Sequence, residues 1–214
     1  NSGSKEGVSK AAVRIYDTEQ NLIKEIYSNE DGTYRLEIPW RESIALEVSK
    51  ERYSSQIQSF DKAAIENLKE NGSVDIDLLF LDDLVEEKED QTVIKMKKFY
   101  FQKGRSVITP DVAAELDKAV LVVKSFPQLQ LRIESHTDSR GGGATNFKLS
   151  QQRADAIKDY LEQHGVSTSN ILYAIGYGED KIINSCKNGV FCLEQLHNQN
   201  ERQLIVVLNY DLIY

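Results

Sequence analysis

Several things are scarce in this chain, and each shortage narrows what it can be. Among 214 residues there are 3 histidines, 3 prolines, 2 cysteines and 1 tryptophan. Basic charge is outweighed: 26 lysines and arginines face 34 aspartates and glutamates, for a net charge of -8. Without a basic stripe to replace phosphate counterions, nucleic acid is not expected as a partner. No apolar run approaches the roughly eighteen residues that a membrane-crossing helix needs. Neither Gly-x-x-x-x-Gly-Lys nor Gly-x-Gly-x-x-Gly occurs, so there is no phosphate loop and no dinucleotide turn. No signal peptide opens the chain. Asn1-Ser2-Gly3-Ser4 reads as a trimmed linker, so the chain is expected to be a fragment of a longer exported protein.

The two cysteines, Cys186 and Cys192, share one short loop with Asn188-Gly189 between them. In a reducing compartment they would be free thiols, and in an oxidising one a disulfide. A disulfide across so small a loop would stabilise by roughly 2 kcal/mol in the chain-entropy model. Two cysteines with only His197 nearby are too few for zinc, and no metal or cofactor is expected.

What is present centres on residues 131–153. Leu129, Leu131 and Ile133 alternate with Gln130, Arg132 and Glu134, the period of a half-buried strand. His136-Thr137-Asp138 follows, then Gly141, Gly142 and Gly143, which turn the chain back. A helix comes next, with Ala154, Ile157 and Leu161 at helical spacing and Gly165 as its stop. Arg153 lies one turn before Ile157, and a helical side chain leans toward the helix N-terminus, so Arg153 reaches back toward Asp138. By charge alone the two read as a pair for each other, or Arg153 as a side chain lying along the core edge. His136-x-Asp138 is too common a pattern to indicate a metal or catalytic site.

Before this stretch the chain is strand and turn. Val13 and Ile15 alternate with polar neighbours, and so do Tyr34, Leu36 and Ile38 up to Pro39, then Ile44, Leu46 and Val48, then Ile76, Leu78 and Phe80. Asp31-Gly32 is a hairpin turn signal. Such spacing predicts a small β-sandwich over residues 5–80. Residues 63–70 fit either a helical turn or a loop. Residues 81–92 are acidic and aperiodic and are expected to be a linker.

Residues 93–214 alternate strand and helix: a strand at 95–101, a helix opened by Thr109-Pro110-Asp111 with Val112, Leu116, Ala119, Val120 and Val123 inward, the central strand and helix, and strands at 171–175 and 204–208. The order β-α-β-α-β-β predicts a two-layer α/β sandwich, and the chain as a whole an α+β protein.

The motifs Ser135-His136-Thr137-Asp138-Ser139-Arg140-Gly141, Asn146-Phe147-Lys148-Leu149-Ser150-x-x-Arg153-Ala154, Gly176-Tyr177-Gly178-Glu179 and Asn200-Glu201-Arg202 resemble the OmpA-like C-terminal domain. Asn146, Leu149 and Arg153 stand eight, eleven and fifteen residues after Asp138, as in that family. The last motif departs from the usual Asn-Arg-Arg, with Glu201 in place of the first arginine. The resemblance spans about residues 93–210 and implies the same α/β sandwich. It also implies non-catalytic binding of peptidoglycan through the meso-diaminopimelate of the stem peptide. On this reading Asp138 takes the ligand ammonium, Arg153 grips its carboxylate, Thr137, Asn146 and Leu149 line the pocket, and Arg202 closes it. Glu201 puts that last contact in question.

The segment Asn184-x-Cys186-x-x-Gly189-Val190-x-Cys192 is similar to one in OmpA-like proteins of the Bacteroidetes, which favours the disulfide. That branch includes a type IX secretion component, so the resemblance implies a periplasmic protein that anchors an outer-membrane assembly to the cell wall. Asp31-Gly32-Thr33-Tyr34-Arg35-Leu36-Glu37-Ile38-Pro39 resembles the carboxypeptidase regulatory-like (transthyretin-like) domain. Two other readings stay open: a peptidoglycan-remodelling enzyme, and a protein-interaction module with a vestigial pocket.

Overall fold

The computed structural model describes residues 1–37 and 42–213. The chain divides into two compact units, residues 1–83 and 84–213. Among the described residues no helix is long and apolar enough to cross a membrane.

The first unit is one antiparallel sheet with a helix. Strands β1 (Ala12–Tyr16), β2 (Leu22–Tyr27), β3 (Ser43–Ser49) and β4 (Gln56–Asp61) lie in the order β2-β1-β3-β4. Val13 faces Val48, Ile15 faces Leu46 and Ile44 faces Phe60 across the strands, and all six are core residues. Helix α1 (Lys62–Asn71) settles the 63–70 question. Asp61 caps it by accepting from the Ala64 N–H, and Gly72 ends it at φ +71°, where glycine carries no Cβ penalty.

A β-sandwich needs a second sheet facing the first, and none is formed among the described residues. Tyr34 and Leu36 pack against the core without pairing as a strand, and Ile38 and Pro39 lie outside the described residues. Ile76, Leu78 and Phe80, expected as a strand, make only an isolated bridge between Phe80 and Tyr53. The alternation there reflects one side packing on the core rather than a ladder. Asn1–Ser4 is also part of this unit, since the Ser2 N–H donates to Leu78 O at 2.9 Å.

The boundary region is folded, contrary to the expectation of a linker over 81–92. A one-turn helix α2 (Leu81–Leu84) leads into β5 (Val85–Lys88) and β6 (Gln91–Ile94), an antiparallel hairpin. Its turn residues, Glu89 and Asp90, have φ of +52° and +57°, the backbone of a tight hairpin turn without the usual glycine. Pairing therefore begins upstream of the strand expected at 95–101, and residues 95–101 form none.

In the second unit α3 (Pro110–Ser125), β7 (Leu131–His136), α4 (Gly143–Gln163), β8 (Ile171–Gly178), α5 (Glu194–Asn200) and β9 (Arg202–Val207) follow. The sheet order is β5-β6-β9-β7-β8. Strand β7 runs parallel to β8 and antiparallel to β9, so α4 is the crossover of a βαβ unit. The inward face expected of α3, from Val112 to Val123, is buried, and Pro110 occupies the first helical turn.

Helix α4 docks on β8 at two glycines. A Cβ on Gly176 would sit 2.1 Å from the Gln151 backbone nitrogen, and one on Gly178 (φ +53°) 2.9 Å from that of Phe147. The approach is secured by polar bonds: Gly178 N–H to Ser150 Oγ at 2.8 Å, Gly176 N–H to Gln151 Oε1 at 3.0 Å, and Gln151 Nε2 to Ala174 O at 3.0 Å. This contact fixes where Asn146 and Arg153 stand relative to the end of β7.

Candidate functional site

The loop after β7 carries Asp138, which is buried with 8% of its surface exposed. Its carboxylate accepts from the Arg140 backbone N–H at 2.8 Å, from Arg140 Nε at 2.8 Å and from Arg140 Nη2 at 2.5 Å. Arg140 is itself half exposed and also pairs with Glu194 at 2.6 Å. Two carboxylates hold its charge, which pushes the guanidinium still further above its ordinary range.

The loop's shape is set by glycine and Asn146. Gly141 has φ +107°, which an L side chain rarely adopts. Asn146, in the first turns of α4, donates to Glu179 at 2.5 Å and lies 3.3 Å from the carbonyls of Asp138 and Arg140. Asn188 donates to the other Glu179 oxygen at 2.6 Å. Cys186 and Cys192 form a disulfide, and the Ser139 hydroxyl donates to the Cys186 carbonyl at 2.6 Å. The loop bearing Asp138 is thus tied to both α4 and the disulfide loop.

Arg153 is 2% exposed. Its Nε donates to Arg105 O at 2.9 Å, Nη2 lies 3.4 Å from Gln102 O, and the guanidinium sits over the Phe101 ring at 5.1 Å. Its charge partner is Glu201, at 3.0 Å. Burial lowers the pKa of Arg153, against the pull of Glu201 and Asp138. Burial also raises that of Glu201, against the pull of Arg153. Both members of the pair lean toward their neutral forms, as expected where desolvation exceeds mutual attraction.

Asp138 and Arg153 do not pair directly; each acts on the other through the electrostatic field and has another side-chain partner. Thr137 is buried and Leu149 half-buried beside them in the chain, and no hydrogen-bond partner meets the Thr137 hydroxyl.

Arg202 is not brought to this site. It stands opposite His136 in the β7–β9 ladder, on the other side of the sheet from Gln203. There it pairs with Glu89 in the hairpin turn and donates to Asn200 O and Lys181 O at 3.0 Å. The same side carries Glu134, fully buried, which meets Arg132 at 2.7 Å, His136 at 3.3 Å and Lys181 at 3.9 Å. His136 also stacks on Tyr177.

Sequence reasoning missed Arg140, Glu179 and the 101–105 wall as parts of the site. Glu179 lay in plain view in Gly-Tyr-Gly-Glu. The carbonyls of Gln102 and Arg105 leave no mark on the identity of a side chain.

A family model described as "OmpA family" matches residues 100–190. The peptidoglycan-associated lipoprotein of Brucella melitensis is 32% identical over 121 residues, covering 56% of this chain and 68% of that protein. Outer membrane porin F of Pseudomonas fluorescens is 39% identical over 84 residues, 39% of this chain and 25% of the porin. Among solved structures, that of the peptidoglycan-associated lipoprotein from Burkholderia pseudomallei matches with 28% identity and a TM-score of 0.45, covering 52% of this chain and 89% of that one.

Proposed function

The chain belongs to the OmpA family, and from that premise we propose that it binds peptidoglycan without transforming it, through the meso-diaminopimelate of the stem peptide. The observation that carries the reading is the placement of Asp138 and Arg153. Opposite charges are held nearly buried at the end of a strand and on the helix that follows it, within each other's field but not bonded to each other. One end of diaminopimelate offers an ammonium and a carboxylate. Asp138 accepts from the ammonium once Arg140, half exposed, swings aside. The planar fork of Arg153 receives the carboxylate. Asn146 holds the loop in place, and Thr137 and Leu149 line the pocket.

Such binding would anchor an outer-membrane-associated assembly from the periplasm. The disulfide loop from Asn184 to Cys192, similar to that of the Bacteroidetes proteins, supports the type IX secretion machinery as that assembly. A vestigial pocket is the second reading, favoured by the fact that Arg153 already has a carboxylate on it.

Purified diaminopimelate-type sacculi separate the two. The wild-type protein should sediment with them. Asp138→Ala and Arg153→Ala should each lower retention by about a hundredfold, since an ion left buried without its partner costs several kcal/mol, while the circular dichroism spectrum is unchanged. Undiminished retention of both variants would move the site elsewhere, and no retention of the wild type would leave the pocket vestigial. Muropeptides recovered after incubation should show no new product.

A further inference from the structure

Resting on the reading just given, we propose that Glu201 is a specificity-determining residue: a resident carboxylate on Arg153 that a ligand's carboxylate must displace, so that the site accepts the amidated ligand end nearly as well as the free acid.

The geometry supplies the competition. Glu201 Oε1 lies 3.0 Å from Arg153 Nη1, within ion-pair distance. Two more of the five N–H donors of Arg153, on Nε and Nη2, are directed at the carbonyls of Arg105 and Gln102. An incoming carboxylate therefore meets a guanidinium whose only ion-pair partner among the described residues is Glu201. It must take that place, or lie beside a second anion at close range. A carboxamide carries no charge, so it meets no such repulsion and has an N–H to give to the Glu201 carboxylate. Asp138 adds a second negative charge nearby, and Arg140, which offsets it, is shared with Glu194.

Two further observations fit a displaceable occupant. Burial moves both members of the Arg153–Glu201 pair toward neutrality, so the pair is not held by a large surplus of attraction. Polar atoms on the same side of the sheet are also left waiting. Gln203 follows Glu201 by two residues, and Ser135 stands opposite Gln203 on β7. Neither the oxygen nor the nitrogen of the Gln203 amide has a hydrogen-bond partner, and the Ser135 hydroxyl has none. Buried polar groups are normally satisfied, so these are exceptions on that side of the sheet.

Calorimetry with two synthetic stem tetrapeptides tests this, one with the free ε-carboxyl of diaminopimelate and one with that carboxyl amidated. The wild-type protein should bind the two within about threefold of each other. Glu201→Gln, which keeps the shape and removes the charge, should bind the free acid about tenfold tighter than wild type and prefer it to the amide by a similar factor. Adding Arg153→Ala to Glu201→Gln should abolish that preference. An acid-to-amide ratio that Glu201→Gln leaves unchanged overturns the role of Glu201 while leaving the peptidoglycan reading intact. No binding of either peptide by either protein overturns both.

Discussion

The two faces of the five-stranded sheet each bury an arginine against a glutamate, and they use it differently. On one face Arg202 pairs with Glu89, fills its remaining donors with two carbonyls, and stands among Glu134, His136, Arg132 and Lys181, each with a charged or hydrogen-bonded neighbour. Below it Val93, Leu204 and Val206 form a small core of their own. On the other face Arg153 meets Glu201 at 3.0 Å, and Ser135, Thr137 and Gln203 have side-chain atoms without partners. The difference is one of degree, since His136 Nδ1 on the Arg202 face also lacks a hydrogen-bond partner. A buried ion pair alone marks neither function nor stability; the two faces differ in how many of the surrounding polar groups are already served.

The largest test of this contrast is Arg202→Ala. It should lower stability to urea by about 2–3 kcal/mol, less than a fully buried pair would lose because Glu89 is one-third exposed. Retention on sacculi, measured where the variant is still folded, should persist. Loss of retention in a folded Arg202→Ala protein would erase the distinction between the faces.

A smaller effect is expected from the support of the open face. Replacing Cys186 and Cys192 by serine should cost about 2 kcal/mol in the same urea titration, on the loop-entropy model. Because Ser139 and Glu179 are bonded to that loop, peptide binding should weaken as well. Unchanged affinity would show that Asp138 is positioned by Asn146 alone.

The smallest effect is a difference in pH response. Burial lowers the pKa of His136, against its bond to Glu134. The unfolded chain therefore takes up a proton near pH 6.5 before the folded one does, and stability present above that pH is lost as pH falls through it. Glu201 has the opposite sign. Its folded pKa is raised by burial, so its cost is full at neutral pH and is relieved as pH falls. Urea midpoints between pH 7.5 and 5 should fall less steeply with acid in His136→Phe, which keeps a ring on Tyr177, and more steeply in Glu201→Gln. Neither group can contribute more than about 1.4 kcal/mol per pH unit. Parallel curves for all three proteins would refute the assignment of opposite signs to the two faces.

The two long helices of the second unit were legible because a 3.6-residue period runs the length of α3 and α4 and Thr109-Pro110 marks a start, whereas the short α5 was not read. Nor was the hairpin at 85–94. Its strands carry Glu86, Glu87 and Lys88, and its turn, Glu89-Asp90, has no glycine, so it read as an acidic linker. The spacing of Asp138, Asn146 and Arg153 was visible in sequence, but their actual partners were not. Arg202 was misplaced because it is the first residue of β9, where it stands opposite His136 and takes the other side of the sheet from Gln203 and Ser135. In the first unit alternation was read as strand pairing at residues 34–38 and 76–80, whereas Tyr34, Leu36, Ile76 and Leu78 pack on the core from one side, which yields the same pattern.

The docking of α4 has a consequence for how copies of this protein behave when crowded. Strand β8 is the last in its sheet, and a terminal strand is an invitation to another chain. Here the amides of Gly176 and Gly178 and the carbonyl of Ala174 are bonded to side chains of the protein's own helix. At the opposite border β5 carries Glu86, Glu87 and Lys88, and charged side chains on an edge strand discourage pairing with another chain. The two borders are thus guarded differently, one by backbone groups already bonded to the protein's own helix and the other by charged side chains.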